Sequence, residues 1–242
     1  LSAFDLFNRE LRSRVGQRSS VVKISATEGM TKHWLLPRVK QLRGLNSRLR
    51  LEITSTMHQQ PLATSDLDFV IRMGDPGESE LIGKRVATVA FGIFASEEYL
   101  AAHPAPRSLA QLKDHDIIGL TEDFAGFRSE RAGQMQLATQ FFAATEVRNA
   151  LRILPVASHF AAAAEGLGLA LLAVPFAQAE RLVRVLPNET AFLNVWLLRR
   201  PESDLRKLTR EVRRFLESEF VKSKSWFSGN QRPAHTPTRR KS

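Results

Sequence analysis

The stretch Ala163-Ala164-Glu165-Gly166-Leu167-Gly168-Leu169-Ala170-Leu171-Leu172-Ala173-Val174-Pro175 joins the end of a helix to a buried strand through two glycines. The order matters, because a dinucleotide-binding fingerprint runs strand, glycines, helix, so that phosphate meets a helix N-terminus. Here the helix comes first. Gly166 stands where a helix ends in the left-handed conformation, which costs least for a residue without Cβ, and Pro175 removes a backbone donor at the end of the strand. The glycines are therefore predicted to be structural.

Outward from this stretch, strand-like segments alternate with segments of helical spacing, which predicts an α/β fold with a mostly parallel sheet. The predicted strands are 21–26, 49–54, 69–73, 86–94, 114–120, 151–156, 169–174 and 192–199. The predicted helices are 32–45 with Pro37 inside it, 158–165, 176–182 and 204–220, and residues 27–31 are predicted to be a loop. The inward positions of the last helix are Leu205, Leu208, Val212, Phe215 and Leu216.

Length and composition bound the class of protein. With 242 residues and 43% hydrophobic content, the chain can form one large domain or two small ones with buried cores. The longest apolar run, 167–174, is far shorter than the roughly 20 residues that cross a bilayer, so no membrane partner is expected. Charged residues interrupt the N-terminal segment, so a secretory signal is not expected there either. The absence of cysteine rules out disulfides and thiolate catalysis.

The net charge of +10 suggests nucleic acid at first, because polycations release counterions from phosphate backbones. The excess is concentrated at the end of the chain. Residues 221–242 contain no acidic residue and six cationic ones, which are Lys222, Lys224, Arg232, Arg239, Arg240 and Lys241. The remaining 220 residues therefore contain 29 cationic residues against 25 acidic ones. We therefore predict a basic, disordered tail at 222–242, disordered after about Phe227, whose simplest interpretation is a solvated segment with no specific partner.

Catalytic and metal-binding patterns are weak in this sequence. The histidines are His33, His58, His103, His115, His159 and His235, and no two of them have the i, i+4 spacing of a zinc site. The sequence also contains no Gly-x-Ser-x-Gly motif of a nucleophilic serine. Asp66 and Asp68 could share a face for acid-base chemistry, but a loop position and the start of a strand explain them as well. We expect no enzyme, no metal and no cofactor.

Small-molecule binding has better support. Open α/β sheets bind ligands beyond the carboxyl ends of their strands, and polar residues follow several predicted strands here. Ser25, Thr27 and Glu28 follow the first, Ser55, Thr56 and His58 the second, Ser96 the fourth and Thr121 the fifth. Hydroxyls beside helix N-termini suit a carboxylate or another anion. Helix capping or a turn would account for any one of these polar residues by itself. Their common position at the ends of several strands favours a ligand-binding site.

Four segments together resemble the C-terminal effector-sensing domain of LysR-type transcriptional regulators. They are the Gly-x-Gly stretch that ends in Pro175, Leu35-Leu36-Pro37, the Asp66 to Gly74 segment and the Phe94 to Pro104 segment. In order and spacing they cover roughly residues 20 to 220. The resemblance implies two hinged α/β subdomains of the type 2 periplasmic-binding-protein kind, with hinges near Ala90 and Asn188. The implied parts are the end of a linker helix at 1–16, subdomain 1 at 18–89 plus 190–221, subdomain 2 at 90–189, and the tail.

The resemblance also implies which residues bind an effector. Thr27 and Thr56 match polar positions with which LysR-type sensors commonly hold a ligand, and Ser96 is expected to face the same cleft between the subdomains. Arg72 could pair with an anion or brace Asp66 or Asp68 through a bidentate contact. The expected effector-binding set is Thr27, Glu28, Ser55, Thr56, Arg72, Ser96 and Thr121.

Partners follow from the same resemblance. The family's N-terminal winged helix-turn-helix has no counterpart in this chain, so DNA binding is expected only through that missing domain of a cytoplasmic regulator. Leu1, Phe4, Phe7 and Leu11 form an apolar helical stripe, which either belongs to a linker helix that pairs subunits or packs on its own domain. A homodimer, possibly a tetramer, is expected. A solute receptor of a transporter is the alternative with the same fold, and an enzyme on that scaffold is the third.

Overall fold

The computed structural model describes residues 20–56, 66–74, 82–120, 136–144 and 150–229. The N-terminal stripe, His58, Thr121 and residues 230–242 lie outside the described residues.

The described chain alternates strands and helices. The strands are β1 (Val21–Ala26), β2 (Arg50–Ser55), β3 (Phe69–Met73), β4 (Ile82–Ala95), β5 (Ile117–Gly119), β6 (Ala150–Arg152), β7 (Leu169–Ala173), β8 (Val183–Val185) and β9 (Ala191–Arg199). The helices are α1 (28–44), α2 (Glu97–Ala102), α3 (Gln136–Ala144), α4 (Ser158–Ala164), α5 (Val174–Ala179), α6 (Lys207–Lys222) and α7 (Lys224–Phe227), with 3-10 turns at Leu109–Asp114 and Pro201–Leu205. The predicted α/β fold is confirmed.

The chain divides into two compact units. Of the described residues, the first unit contains 20–56, 66–72, 82–85 and 196–220. The second contains 73–74, 86–120, 136–144, 150–195 and 221–229. Strands β4 and β9 each contribute residues to both units. The assignment of linker, subdomains and tail to separate functions stays a prediction.

The sheet of the first unit is built around β1. This strand pairs in parallel with β2 on one side and with β3 on the other. Helix α1 packs against α6, since the rings of Trp34 and Phe220 stack with centroids 3.8 Å apart. The guanidinium of Arg38 lies over the Trp34 ring, and its Nε donates to a carboxylate oxygen of Glu219 at 3.1 Å. A buried aromatic pair flanked by a bonded ion pair therefore joins the two helices.

Helix α1 begins earlier than the sequence predicted. Residues 27–31 were expected to be a loop, which is wrong, because Thr27 is already the N-cap and the helix starts at Glu28. A π-helical turn at Thr31–Leu35 and a 3-10 turn at Leu36–Arg38 precede the regular segment Val39–Gly44. Proline cannot donate the helical hydrogen bond, and these two irregular turns accommodate Pro37 without ending the helix.

The second unit has a mixed sheet. Strand β4 is antiparallel to β7 and to β8, whereas β5 is parallel to β6 and β7. Gly166 follows α4 with a φ of +73°, which confirms the predicted left-handed helix end. Pro175 has a different role from the predicted one, because β7 ends at Ala173 and Pro175 lies in the first turn of α5, where its missing N–H costs nothing.

The C-terminal part also differs from the sequence expectation. Helix α6 begins at Lys207, and Leu205, expected to face inward, is 79% exposed because it lies in the preceding 3-10 turn. The tail was predicted to begin at Lys222 and to be disordered only after about Phe227, and the residues before that point are ordered. Lys224–Phe227 is a helix, and both Trp226 and Phe227 are buried.

Candidate functional site

Polar side chains come together at the carboxyl ends of β1, β2 and β3. Ala26 of β1 pairs with Ser55 of β2 on one side and with Ile71 of β3 on the other. The residues that come next along each strand, Thr27, Thr56 and Arg72, therefore lie side by side across the sheet. The Thr56 amide donates to the Ala26 carbonyl oxygen at 3.0 Å, and Arg72 Nη1 donates to the Thr56 carbonyl oxygen at 2.8 Å. Adjacent strands lie about 4.8 Å apart, so these three predicted residues are close neighbours.

Several oxygens at this place are buried without a hydrogen-bond partner among the described residues. They are Ser25 Oγ, Thr27 Oγ1, Glu28 Oε2 and Thr31 Oγ1. Ser25 is 1% exposed and Thr27 is 5% exposed. Buried polar atoms in native proteins are nearly always bonded to protein, water or ligand, so such a concentration within seven consecutive residues indicates a binding site.

Thr27 is positioned by the start of α1. Its backbone is extended, with φ −68° and ψ 155°, and its carbonyl oxygen accepts the Thr31 amide at 2.8 Å. Its hydroxyl does not cap the helix, which leaves that group for another partner. Thr31 follows four residues later on the same helical face. Sequence reasoning did not include Thr31 in the site because it placed this residue in a loop.

Glu28 and Arg72 give the site both signs of charge. Glu28 is the first residue of α1 and presents a buried carboxylate oxygen, while Arg72 is 7% exposed and is held by the Thr56 carbonyl group. Ser55 is an exposed residue at the end of β2 and is not one of the buried groups. The site can therefore offer hydroxyls, a guanidinium and a carboxylate to a small polar molecule.

Ser96 follows β4, and its expected role in effector binding stays a prediction. Because β4 is antiparallel to β7, and β7 is parallel to β5, the carboxyl end of β4 adjoins the amino ends of β5 and β7. Ser96 follows that end of β4, whereas β5 has its carboxyl end at Gly119, on the opposite edge of this sheet. The Ser96 hydroxyl oxygen accepts the Tyr99 amide at 3.1 Å as the N-cap of α2. Thr121 lies outside the described residues, so the grouping of Ser96 with Thr121 stays a prediction.

The acidic pair near β3 has a structural role. The Asp68 carboxylate accepts the Lys23 amide at 3.0 Å and pairs with Arg206. Asp66 pairs with Lys23 Nζ at 2.6 Å, and this hydrogen bond lowers the pKa of Asp66. Lys23 and Arg206 therefore brace these carboxylates, and whether Arg72 pairs with an anion or with one of them stays a prediction.

The second unit contains a separate cavity of about 530 Å³. Its lining residues are Pro106, Arg107, Ser108, Leu109, Gln140, Leu186, Pro187, Asn188 and Glu189. Most of its polar side chains are exposed and show no unpartnered buried atom.

In the described part of the chain, no group of three or more His, Asp or Glu side chains could hold a metal ion. No described helix is long and apolar enough to cross a membrane.

Known proteins resemble this chain in sequence. The HTH-type transcriptional regulator CrgA of Neisseria meningitidis serogroup C is 28% identical over 102 residues, which is 42% of this chain and 34% of the relative. The HTH-type transcriptional activator TtdR of Escherichia coli O6:K15:H31 is 25% identical over 193 residues, which is 74% of this chain and 58% of the relative. The chain thus spans about one third to three fifths of the length of these relatives.

Solved structures share the fold. The CrgA regulatory domain of Neisseria meningitidis matches with a TM-score of 0.63 and 19% identity, covering 84% of this chain and 98% of that one. The effector domain of AmpR from Pseudomonas aeruginosa matches with a TM-score of 0.68 and 18% identity, covering 84% and 97%.

A family model described as the LysR substrate binding domain matches residues 16–221, which is most of the chain. That match contains both β1 to β3 with their polar carboxyl ends and the glycine turn before β7. The chain therefore belongs to the LysR substrate-binding domain family.

Proposed function

We propose that this chain is the effector-binding and oligomerisation part of a cytoplasmic LysR-type transcriptional regulator, and that it is not an enzyme. Its relatives CrgA and TtdR are named as transcriptional regulators, which supports a regulator over a transporter's solute receptor. DNA would be contacted by a separate helix-turn-helix domain of the regulator.

The effector site is the group of polar residues at the ends of β1 to β3. The observation that carries this proposal is the set of buried oxygens on Ser25, Thr27, Glu28 and Thr31 that have no partner among the described residues. An unbonded buried polar group costs about 1–3 kcal/mol, so a ligand that bonds these oxygens gains that free energy on binding. Ser55 and Thr56, at the carboxyl end of β2, are the other members of the proposed site. A role for Ser96 or Thr121 in binding stays a prediction.

The effector carries an anionic group. Arg72 lies at the level of Thr27, and its guanidinium geometry suits a carboxylate or a phosphate. The hydroxyls of Ser25, Thr27 and Thr31 can each donate to the same group. The positive end of the α1 backbone dipole adds a further favourable contribution to anion binding.

Regulation follows from differential affinity. A ligand that binds one conformation of the sensing domain more tightly shifts the population toward it, by no more than the difference in its two binding free energies. That shift changes how subunits present their DNA-binding domains. A coupling of about 1–3 kcal/mol corresponds to a change of roughly five- to 150-fold in affinity, which is typical of allosteric proteins.

The test is a thermal-shift screen of small organic acids and phosphates, followed by calorimetry with paired variants. Thr27→Val and Thr31→Val remove hydroxyls while preserving shape. We expect each to weaken binding by about 0.5–1.5 kcal/mol for a neutral hydrogen bond, and more for a charged ligand. Thr54→Val is the matched control, since Thr54 is exposed on β2. Equal affinities for all three variants and the original protein would refute the site.

A further inference from the structure

Glu28 places a second requirement on the effector. Its Oε2 is buried and has no hydrogen-bond partner among the described residues, so Arg72 does not bond this oxygen. A carboxylate oxygen can only accept hydrogen bonds. Ligand binding that excluded water without supplying a donor would leave this oxygen unbonded, which is strongly unfavourable for a charged group.

A purely anionic effector does not satisfy this arrangement. Its oxygens would match Arg72 and the hydroxyls, but one of them would approach the Glu28 carboxylate with like charge. Glu28 follows Thr27 directly, and the backbone of Arg72 is level with Thr27 on β3, so residues of opposite charge come at neighbouring positions at this end of the sheet. Opposite protein charges at neighbouring positions match a ligand that carries both signs.

We propose that the effector is a small zwitterion, with an anionic group toward Arg72 and a cationic N–H group toward Glu28, as in an α-amino acid. The inference rests on the proposed effector site at the ends of β1 to β3. Thr27 and Thr31 can donate to the anionic end or accept from the cationic end, because a hydroxyl does both. The ligand thus supplies a donor to Glu28 Oε2 and an anionic group to the guanidinium of Arg72.

Matched triads of compounds test this directly. Each triad keeps the side chain and the α-carboxylate the same and changes only the α-substituent. The triads are alanine, lactate and pyruvate; leucine, 2-hydroxyisocaproate and 2-oxoisocaproate; phenylalanine, phenyllactate and phenylpyruvate; and glutamate, 2-hydroxyglutarate and 2-oxoglutarate. Binding to the full 242-residue chain is measured by thermal shift and calorimetry. We expect at least one amino acid to bind, and to bind roughly ten- to hundredfold more tightly than its oxo analogue, the range for one charged hydrogen bond.

Two variants identify the residue responsible. Glu28→Gln is expected to weaken amino-acid binding roughly tenfold or more and to leave the binding of the hydroxy acid nearly unchanged. Glu97→Gln is the matched control, because Glu97 is also the first residue of a helix, directly after its N-cap, and is exposed. It is expected to change neither affinity. Unfolding curves of both variants check that each remains folded.

The other outcomes overturn the inference in distinguishable ways. If an oxo or hydroxy acid binds as tightly as its amino acid and loses affinity in Thr27→Val, the zwitterion is wrong and the site stands. If an amino acid binds with no loss in either Glu28→Gln or Thr27→Val, both the zwitterion and the site are wrong. If no member of the four triads binds, the amino-acid class is wrong, and the organic-acid screen alone decides the site.

Discussion

At the residue scale, Gly168 shows most directly why the glycine turn is needed. Its φ is +140°, and a Cβ there would lie 2.4 Å from the carbonyl oxygen of Asp116. The neighbouring amide of Leu169 donates to that same oxygen at 2.8 Å, which fixes the close approach between β7 and the residue before β5. The turn therefore sets the register of the second unit's parallel strands.

Gly168→Ala is expected to destabilise the protein strongly. The unfavourable backbone conformation costs about 1–3 kcal/mol, and the overlap with Asp116 adds to it. Gly44→Ala is the control, because no atom lies within 4 Å of its added Cβ and it belongs to a helix. That variant should gain about 0.5–1 kcal/mol. Urea unfolding measures both, and equal stabilities would contradict this role for Gly168.

His159 makes the stability of the second unit depend on pH. It is 3% exposed, and its Nε2 lies 3.0 Å from the Ile153 carbonyl oxygen. Burial lowers the pKa of His159 below its ordinary value of 6.5, although the hydrogen bond opposes this effect. The unfolded chain therefore takes up a proton at higher pH than the folded protein does.

Above pH 6.5, His159 is neutral in both states and does not lower the free energy of unfolding. Below pH 6.5, the free energy of unfolding is expected to decrease as the pH falls toward the lower pKa that His159 has in the folded protein. His159→Gln keeps an N–H donor and does not titrate, so its unfolding free energy should depend less on pH in that window. Chemical unfolding at a series of pH values makes the comparison. An unchanged pH profile in the variant would show that other groups cause the dependence.

At the element scale, the short helix α7 attaches the end of the described chain to the second unit. Trp226 is 7% exposed. The centroid of its ring lies 5.7 Å from the ring centroid of Phe176 in α5 and 4.9 Å from that of Phe227. Gly229 passes so close to α5 that an added Cβ would lie 2.6 Å from Val174. Helix α7 is thus part of the packing around α5.

Trp226→Ala should destabilise this packing by about 3–5 kcal/mol, the usual range for a buried tryptophan. The amides of α5 should exchange hydrogen faster in the variant, because they lose the cover of the indole ring. Val221→Ala is the control, since Val221 is 74% exposed. Unchanged exchange in α5 would mean that α7 does not stabilise this unit.

Sequence reasoning was most successful for elements with one clear pattern. The bounds of β1 and β3 were predicted correctly, because each is a short, mostly apolar and β-branched or aromatic segment between polar or turn-forming residues. The direction of β4 was not predictable, since alternation along a strand is the same whichever way its neighbours run. Thr31 was missed because a helix that contains a π turn lacks regular spacing.

At the scale of the whole molecule, we propose self-association through the edge of the first unit. Among the described strands β2 ends the sheet order, and Leu36 and Leu45, which lie in the segment that joins β1 to β2, are 52% and 42% exposed. Unpaired strand edges and apolar side chains of this kind favour contact with another chain.

Sedimentation equilibrium at micromolar concentration should give twice the 27.2 kDa mass of one chain. Replacing Leu36 and Leu45 by Asp should shift the equilibrium toward the monomer, because the contact would then bury unpaired charges. Leu167→Asp is the control, since Leu167 is 49% exposed in the second unit. A monomer in the unmodified protein would contradict the proposal.

The most direct measurement of the central claim is amide chemical-shift mapping by NMR during titration with the best ligand from the organic-acid screen. If the carboxyl ends of β1, β2 and β3 form the effector site, the largest changes fall at 25–31, 55–56 and 70–72. Largest changes at 106–109 and 186–189, around the cavity of the second unit, with those three segments unaffected, would contradict it.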